Sequence, residues 1–470
     1  MVFSSLIFLL FLFVCLAVQH FCPNTKARNS VLLVFSLIFY LWGGVRSLVL
    51  LIIVTLADWY AALMIADQTS RTKRKQWLGG TVAVNVILFA VLRFWELFPW
   101  AGESTSAARY AIPMGFAFYT IQLISYLVDV YRGTVPPQQK FTDILLYSAL
   151  FSQSAGGPVI RYSEIRRDLK KRKTGSAAMS RGIMRFSCGL AKKVLLADSC
   201  GVVVTAYLGE DINALASAPV LAVWLGSIFF MLQLFLELSG YADMAVGLGL
   251  MCGFRFPENF NYPYVSSTLS GFWSRWNITV VGFFRDYVYA PLGSGRHGRI
   301  IQILNLVITW LLFGLWCGGS ANLMLWALYC LALLLLEGLF RKKLAGLPHA
   351  AGHIWVLVTM LLGFVLYRYS DLGMLAAALK GLIGLNGAGF ATAETLLILV
   401  RHLLLLILSV LACTPLTRMT GIYMKEKAKE DRTWLRLRAV TDAVCPAVLL
   451  LLSILGMVGN QLPAFAFFQL

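Results

Sequence analysis

Cys317, Glu237 and Asn277 are the residues here whose types could take part in a reaction. Cys317 lies in FGLWCGG, between Trp316 and Gly318. It is a candidate nucleophile where its surroundings hold the thiol below its ordinary pKa of about 8.5. Glu237 lies in the apolar run LQLFLELSGY, where Gln233, Glu237 and Tyr241 recur at i, i+4 and i+8 as a polar stripe on one helix face. A carboxylate inside a membrane run points to function by default. Asn277, in FWSRWNI, can orient a substrate or an oxyanion by hydrogen bonding but cannot act as a base. Arg275 and Trp276 precede it and the Arg285-Asp286 step follows. Polar groups at membrane depth are expensive, so they line a cavity or touch a substrate.

These residues have to be positioned by membrane helices. The 470 residues are 59% hydrophobic and 13% charged, with a mean hydropathy of +0.75. A soluble chain carries about 25% charged residues. The expected fold is an all-α polytopic membrane protein forming one integral-membrane domain over residues 1–470. Apolar runs lie near 2–20, 30–44, 46–66, 77–98, 110–131, 182–206, 216–253, 303–317, 321–340, 352–370, 374–386, 392–413 and 439–458. A span needs about 20 apolar residues, which predicts about eleven full spans. The run 216–253 is expected to break at Ser239-Gly240. The shorter piece 142–158, with Gly156, Gly157 and Pro158, is expected to be re-entrant. The N-terminal run lacks a basic leader and a small-residue cleavage site, so it reads as a retained span.

The formal charge of +18 sits in loop clusters: Lys26 and Arg28, Arg71 to Lys75, Arg161 to Lys173, Arg341 to Lys343, and Lys425 to Arg438. Loops near Glu103 and at Glu210-Asp211 are acidic. The alternation predicts an outside N-terminus with the basic loops cytoplasmic. No basic face of a soluble module is present, which argues against nucleic acid. The stretch 425–438, KEKAKEDRTWLRLR, reads as a solvated loop in preference to an amphipathic interfacial helix. The nine cysteines lie mostly in apolar runs with no CxxC pair, so neither a disulfide framework nor a metal site is expected. Glycines 247, 249 and 253 follow no strand and read as close helix packing, not as a nucleotide loop. On 112–133, Tyr119, Gln122 and Tyr126 share one face, suited either to helix–helix hydrogen bonding or to lining a cavity, while Asp129 and Arg132 form a local i, i+3 pair.

The blocks PENFNYPY, FWSRWNI, FFRDYVYAPLGSGR and GLWCGG resemble, in order, the core signature of the membrane-bound O-acyltransferase family. IPMGFAFYTIQLISYLVDVYRG, FSQSAGGPVIRY and LQLFLELSGYADMAVGLGLMCGFRFPENF are similar to further blocks of its bacterial branch, which includes alginate O-acetyltransferases and the D-alanyl transfer proteins of teichoic acid. The resemblance implies a polytopic fold in which an acyl group moves from a donor on the cytoplasmic side to an acceptor on the other. It implies no bound cofactor, but an acyl thioester donor, acyl-CoA or acyl carrier protein, and a second exported or membrane-anchored acyltransferase as partner in a bacterial cytoplasmic membrane. Candidate catalytic residues are Cys317, Asn277 and Glu237; candidate substrate-binding residues are Arg275, Trp276, Arg285, Asp286, Trp316, Tyr241, Gln233 and Arg161. Arg161 sits where a phosphate-bearing donor would need a cation.

The sequence departs from the family at its two histidines. Asn277 stands for the His of RWH, and Cys317 for the His of LWHG, thought to be the catalytic base. The chain's own histidines, 20, 297, 349, 353 and 402, match neither position. Three readings of Cys317 stay open: an inert residue in a site that has lost catalysis, a passive residue in an enzyme using another base such as Glu237, or an acyl-accepting nucleophile. The leading expectation is transfer of a short acyl group to an exported polysaccharide or cell-wall polymer. A catalytically inactive scaffold and a transporter are the alternatives. No inverted repeat supports the transporter.

Overall fold

The structure is a computed structural model that describes residues 3–94, 113–154, 156–172, 175–209, 211–293, 298–340, 346 and 348–459. Among the described residues the regular structure is helical, with no strand. Eight of these helices are long and apolar enough to cross a bilayer. Hydrocarbon leaves no water to satisfy backbone groups, so the chain solves the problem within each helix. The chain divides into two compact units, Met1–Phe186 with Ala242–Glu258, and Ser187–Tyr241 with Asn259–Leu470.

The first unit holds α1 (Leu6–His20), α2 (Thr25–Trp42), α3 (Val45–Asp67), α4 (Arg71–Arg93), α5 (Phe116–Arg132), α6 (Phe141–Ala149), α7 (Phe151–Ser154), α8 (Tyr162–Lys170) and most of α9 (Ser176–Ala191). Ser5 and Asn24 start α1 and α2 by accepting from the amides of Phe8 and Ala27. In 142–158 the helix is interrupted at Leu150, and the break is buried in protein. There the Phe151 amide donates to Ser36 Oγ at 3.3 Å and Tyr147 Oη donates to Ile160 O at 2.8 Å, which meets the requirement for irregular backbone at depth. Gln122 Nε2 donates to Gln153 Oε1 at 2.5 Å, and Tyr126 Oη accepts from the Gln138 amide at 2.9 Å. Those two residues therefore serve internal hydrogen bonding, while the buried Tyr119 Oη has no hydrogen-bond partner.

The second unit holds α10 (Asp198–Leu208), α11 (Ile212–Ala216), the larger part of α12 (Val220–Met251), α13 (Leu269–Trp273), α14 (Ile278–Phe283), α15 (Arg299–Cys317), α16 (Ala321–Leu339), α17 (His349–Arg368), α18 (Leu372–Leu382), α19 (Ala393–Ala412), α20 (Leu416–Lys427) and α21 (Arg432–Gly459). The expected break at Ser239-Gly240 does not occur, since α12 runs unbroken for 32 residues. Gly240 serves close approach instead: a Cβ there would lie 2.8 Å from the carbonyl oxygen of Gly189. Gly247 does the same in the first unit, 2.7 Å from Gly182 O, as the packing reading of the glycines requires. The loop expected at 425–438 is also corrected: α20 continues to Lys427 and α21 begins at Arg432, leaving only a short turn. His297, Glu103, Glu210 and the cluster 341–343 lie outside the described residues.

Candidate functional site

The α12 stripe packs against the helix formed by α9, a wider turn over Lys192–Ala197, and α10. A Cβ at Gly201 would lie 2.8 Å from Gln233 Nε2, so that glycine makes room for the amide. One turn on, the buried Glu237 carboxylate lies 3.8 Å from Lys193 Nζ. Lys193 is itself buried and also donates to Asp198 Oδ1. The wider turn makes this cluster possible. In an α-helix, residues five apart point about 140° away from each other. Over Lys192–Ala197 the backbone bonds run i to i+5, with the Asp198 amide on Lys193 O, and the two side chains share a side. The sequence reading missed Lys193 and Asp198 because an i, i+5 pair is no helical signal; the one cue was a lysine inside an apolar run.

Phe235 is two residues before Glu237 and so about 200° round α12. It packs on a different cluster, with ring centroids 5.2 Å from Tyr264 and 6.1 Å from Trp276. Trp276 is buried, stacked on Phe272 at 5.4 Å and set against Phe364 at 5.4 Å. The sequence places Asn277 immediately after this anchor, at the start of α14. Its φ of 45° is left-handed, a conformation that Asn accepts better than most residues. Asn259 braces the turn. Its carbonyl accepts from the Ile278 amide at 2.8 Å, and its Oδ1 accepts from Thr279 N at 3.1 Å and Thr279 Oγ1 at 2.9 Å. Asn277 Oδ1 is buried and has no hydrogen-bond partner. A buried acceptor left in this state costs about 1–3 kcal/mol, which a donor from a bound molecule would recover.

Aromatic contacts run on from Trp276 towards Cys317. Trp273 lies against Trp310, Phe313 and Trp326; Phe313 stacks on Trp316 at 6.4 Å, and Phe284 meets Trp316 at 6.4 Å. Cys317 is the last residue of α15 and is buried. Arg285, 70% exposed at its side chain, donates from Nε to Asp286 Oδ1 at 2.8 Å. It borders a cavity of about 240 Å³ lined also by Phe284, Thr309, Trp310 and Phe313. Arg275 Nη1 reaches Asn261 O at 3.5 Å. Tyr241 is buried in α12. Arg161 belongs to the other unit, half-buried at the start of α8, where its amide donates to Glu164 Oε2 at 3.0 Å.

The candidate residues of the second unit thus fall into two groups: Gln233 and Glu237 with Lys193, and Arg275, Trp276 and Asn277 joined through aromatic rings to Trp316 at the end of α15. Of the four described histidines none is buried: His20 and His349 are exposed, and His353 and His402 half-buried. Among the described residues no group of three or more His, Cys, Asp or Glu could hold a metal ion.

Residues 138–351 match the model of the MBOAT, membrane-bound O-acyltransferase, family. A probable alginate O-acetylase of Pseudomonas syringae pv. tomato is 34% identical over 391 residues, 79% of this chain and 73% of that protein. The peptidoglycan O-acetyltransferase of Helicobacter pylori is 28% identical over 78% of this chain and 76% of its own length. The teichoic acid D-alanyltransferase of Bacillus subtilis is 23% identical over 49% and 60%. The chain belongs to the membrane-bound O-acyltransferase family.

Proposed function

We propose that this chain is an active O-acyltransferase of a bacterial cytoplasmic membrane. It moves a short acyl group, acetyl by the names of its nearer relatives, from a thioester on the cytoplasmic side to hydroxyls of an exported polysaccharide or cell-wall polymer. Acyl-CoA or acyl carrier protein is the donor, and a second exported or membrane-anchored acyltransferase completes delivery. The observation that carries the reading is the orphaned Oδ1 of Asn277, at a turn where Asn259 accepts from the Ile278 and Thr279 amides. An acceptor hydroxyl donates its O–H to this oxygen, which orients the hydroxyl oxygen towards the thioester carbonyl. The new C–O bond forms as the C–S bond breaks, and the hydroxyl proton ends on the departing thiolate. Asn277 is an orienting group and not a base.

Cys317 is read as passive. Arg285 donates to Asp286 and Arg275 to Asn261 O, and these are contacts away from the thiol. A thiolate needs such a cation at neutral pH. The test is transfer of labelled acyl groups to polymer in a host lacking its own acetyltransferase. Asn277→Leu is expected to lower transfer by about 10²-fold, the scale on which one positioned polar group acts. Asn277→Asp, which keeps an acceptor oxygen, should retain most activity, and Cys317→Ala should leave it unchanged. Wild-type chain without any transfer, or Asn277→Leu with full transfer, overturns the proposal.

A further inference from the structure

α20 has no buried residue, yet it carries an apolar face. Leu416, Met419, Ile422 and Tyr423 fall at i, i+3, i+6 and i+7 and are between 48% and 60% exposed. Such a stripe, left exposed along most of its length, needs a cover. Its position says what the cover is. α19 is an apolar span with a mean hydropathy of 2.5 and ends at Ala412, so α20 starts only a few residues beyond a membrane crossing. On the other side α21 is 28 residues long. That is about 42 Å against a hydrocarbon thickness of about 30 Å, so about eight residues of the upright helix project from the core. The projecting end is the basic one, RTWLRLR. Tyr423 and Trp434 clasp α20 to this first part of α21, with ring centroids 5.7 Å apart.

The charges complete the case. Between Leu416 and Arg438 there are seven basic and three acidic residues. Lys427 pairs with Glu430, Lys429 with Glu426, and Arg438 with Asp442. Arg418, Lys425, Arg432 and Arg436 have no acidic partner among the described residues. We infer that the α20–α21 hairpin is an anionic-lipid recognition element: its apolar face lies in the headgroup layer of the leaflet it emerges from, and these four cations bind the phosphates of anionic lipids. Each basic side chain at an anionic surface is worth about fivefold in partitioning, so four suffice to make the hairpin sensitive to lipid composition. The element is independent of the acyl-transfer reading, since it uses none of the residues placed in that site.

The experiment is amide hydrogen exchange on the full-length protein in nanodiscs of phosphatidylcholine alone and of phosphatidylcholine with phosphatidylglycerol. Amides 416–438 should exchange at least about fivefold more slowly with phosphatidylglycerol present, in line with one such contact, and 1 M salt should cancel the difference. Arg418→Gln, Lys425→Gln, Arg432→Gln and Arg436→Gln together should abolish it. Met419→Ser with Ile422→Ser should raise exchange in both lipids. Exchange in 220–251 serves as the control that the variants remain folded. Equal exchange of 416–438 in the two lipids overturns the inference. So does slowing produced only by an added acidic soluble protein such as an acyl carrier, which would make the hairpin a protein-docking surface.

Discussion

Asn277 combines a left-handed backbone with a buried, unpaired acceptor, and both features cost stability. A chain selected only for folding would carry Gly there, and this allows strain and function to be separated. Asn277→Gly should stabilise the protein, by up to about 1 kcal/mol, because glycine adopts positive φ without a Cβ penalty. It should also depress acyl transfer as Asn277→Leu does. Thermal unfolding in detergent and the polymer assay together give the answer; unchanged transfer by the glycine variant would reduce Asn277 to a turn residue. A histidine at this position could take the hydroxyl proton as well as orient it, and general-base help is worth 10²–10⁴-fold. Asn277→His is therefore a plain route to faster transfer.

At the scale of elements, the wide turn between α9 and α10 decides how α12 is held. It brings the Lys193 ammonium between Asp198 and Glu237 in a seam where Gly240 already lets the helices meet closely. Removing one partner of a buried ionic cluster leaves an uncompensated charge and costs about 3–5 kcal/mol, whereas neutralising the whole cluster costs much less. Lys193→Met should accordingly lower the melting temperature sharply, and adding Glu237→Gln and Asp198→Asn should restore most of the loss. If the triple variant is no more stable than Lys193→Met alone, the cluster is not the source of the effect. Lys193 thereby gives Glu237 a structural partner, and the direction of the Glu237 side chain, about 200° round α12 from Phe235 and its contact with Trp276, follows from that.

For the whole molecule the decisive partner is the bilayer. Basic clusters stand at the start of α4, Arg71 to Lys75, and at the junction of α20 and α21, Lys425 to Arg438, and the positive-inside rule expects such clusters on the cytoplasmic side. That rule predicts that α19 enters from the opposite side, with the turn at Gly387 to Gly389 outside. A reporter enzyme that works only outside the cytoplasm should be active when fused after Gly387 and inactive when fused after Lys429. The reverse pattern would overturn this orientation.

The sequence alone determined the class. Composition and run length force an all-helical membrane chain because backbone groups in lipid must be satisfied internally. Ordered motifs identified the family, and the replacement of both family histidines is visible by inspection at Asn277 and Cys317. What only the tertiary structure decided depends on neighbours distant in sequence or on local departures from helical period. The unpaired state of Asn277 Oδ1 rests on every group that fails to reach it. The Lys193–Asp198 pair needs a turn with i to i+5 bonding, which no 3.6-residue pattern announces. The continuity of α12 through Ser239-Gly240 depends on what faces the glycine: with Gly189 O where a Cβ would sit, it is a packing residue, and nothing in the run LELSGYADM distinguishes that from a break.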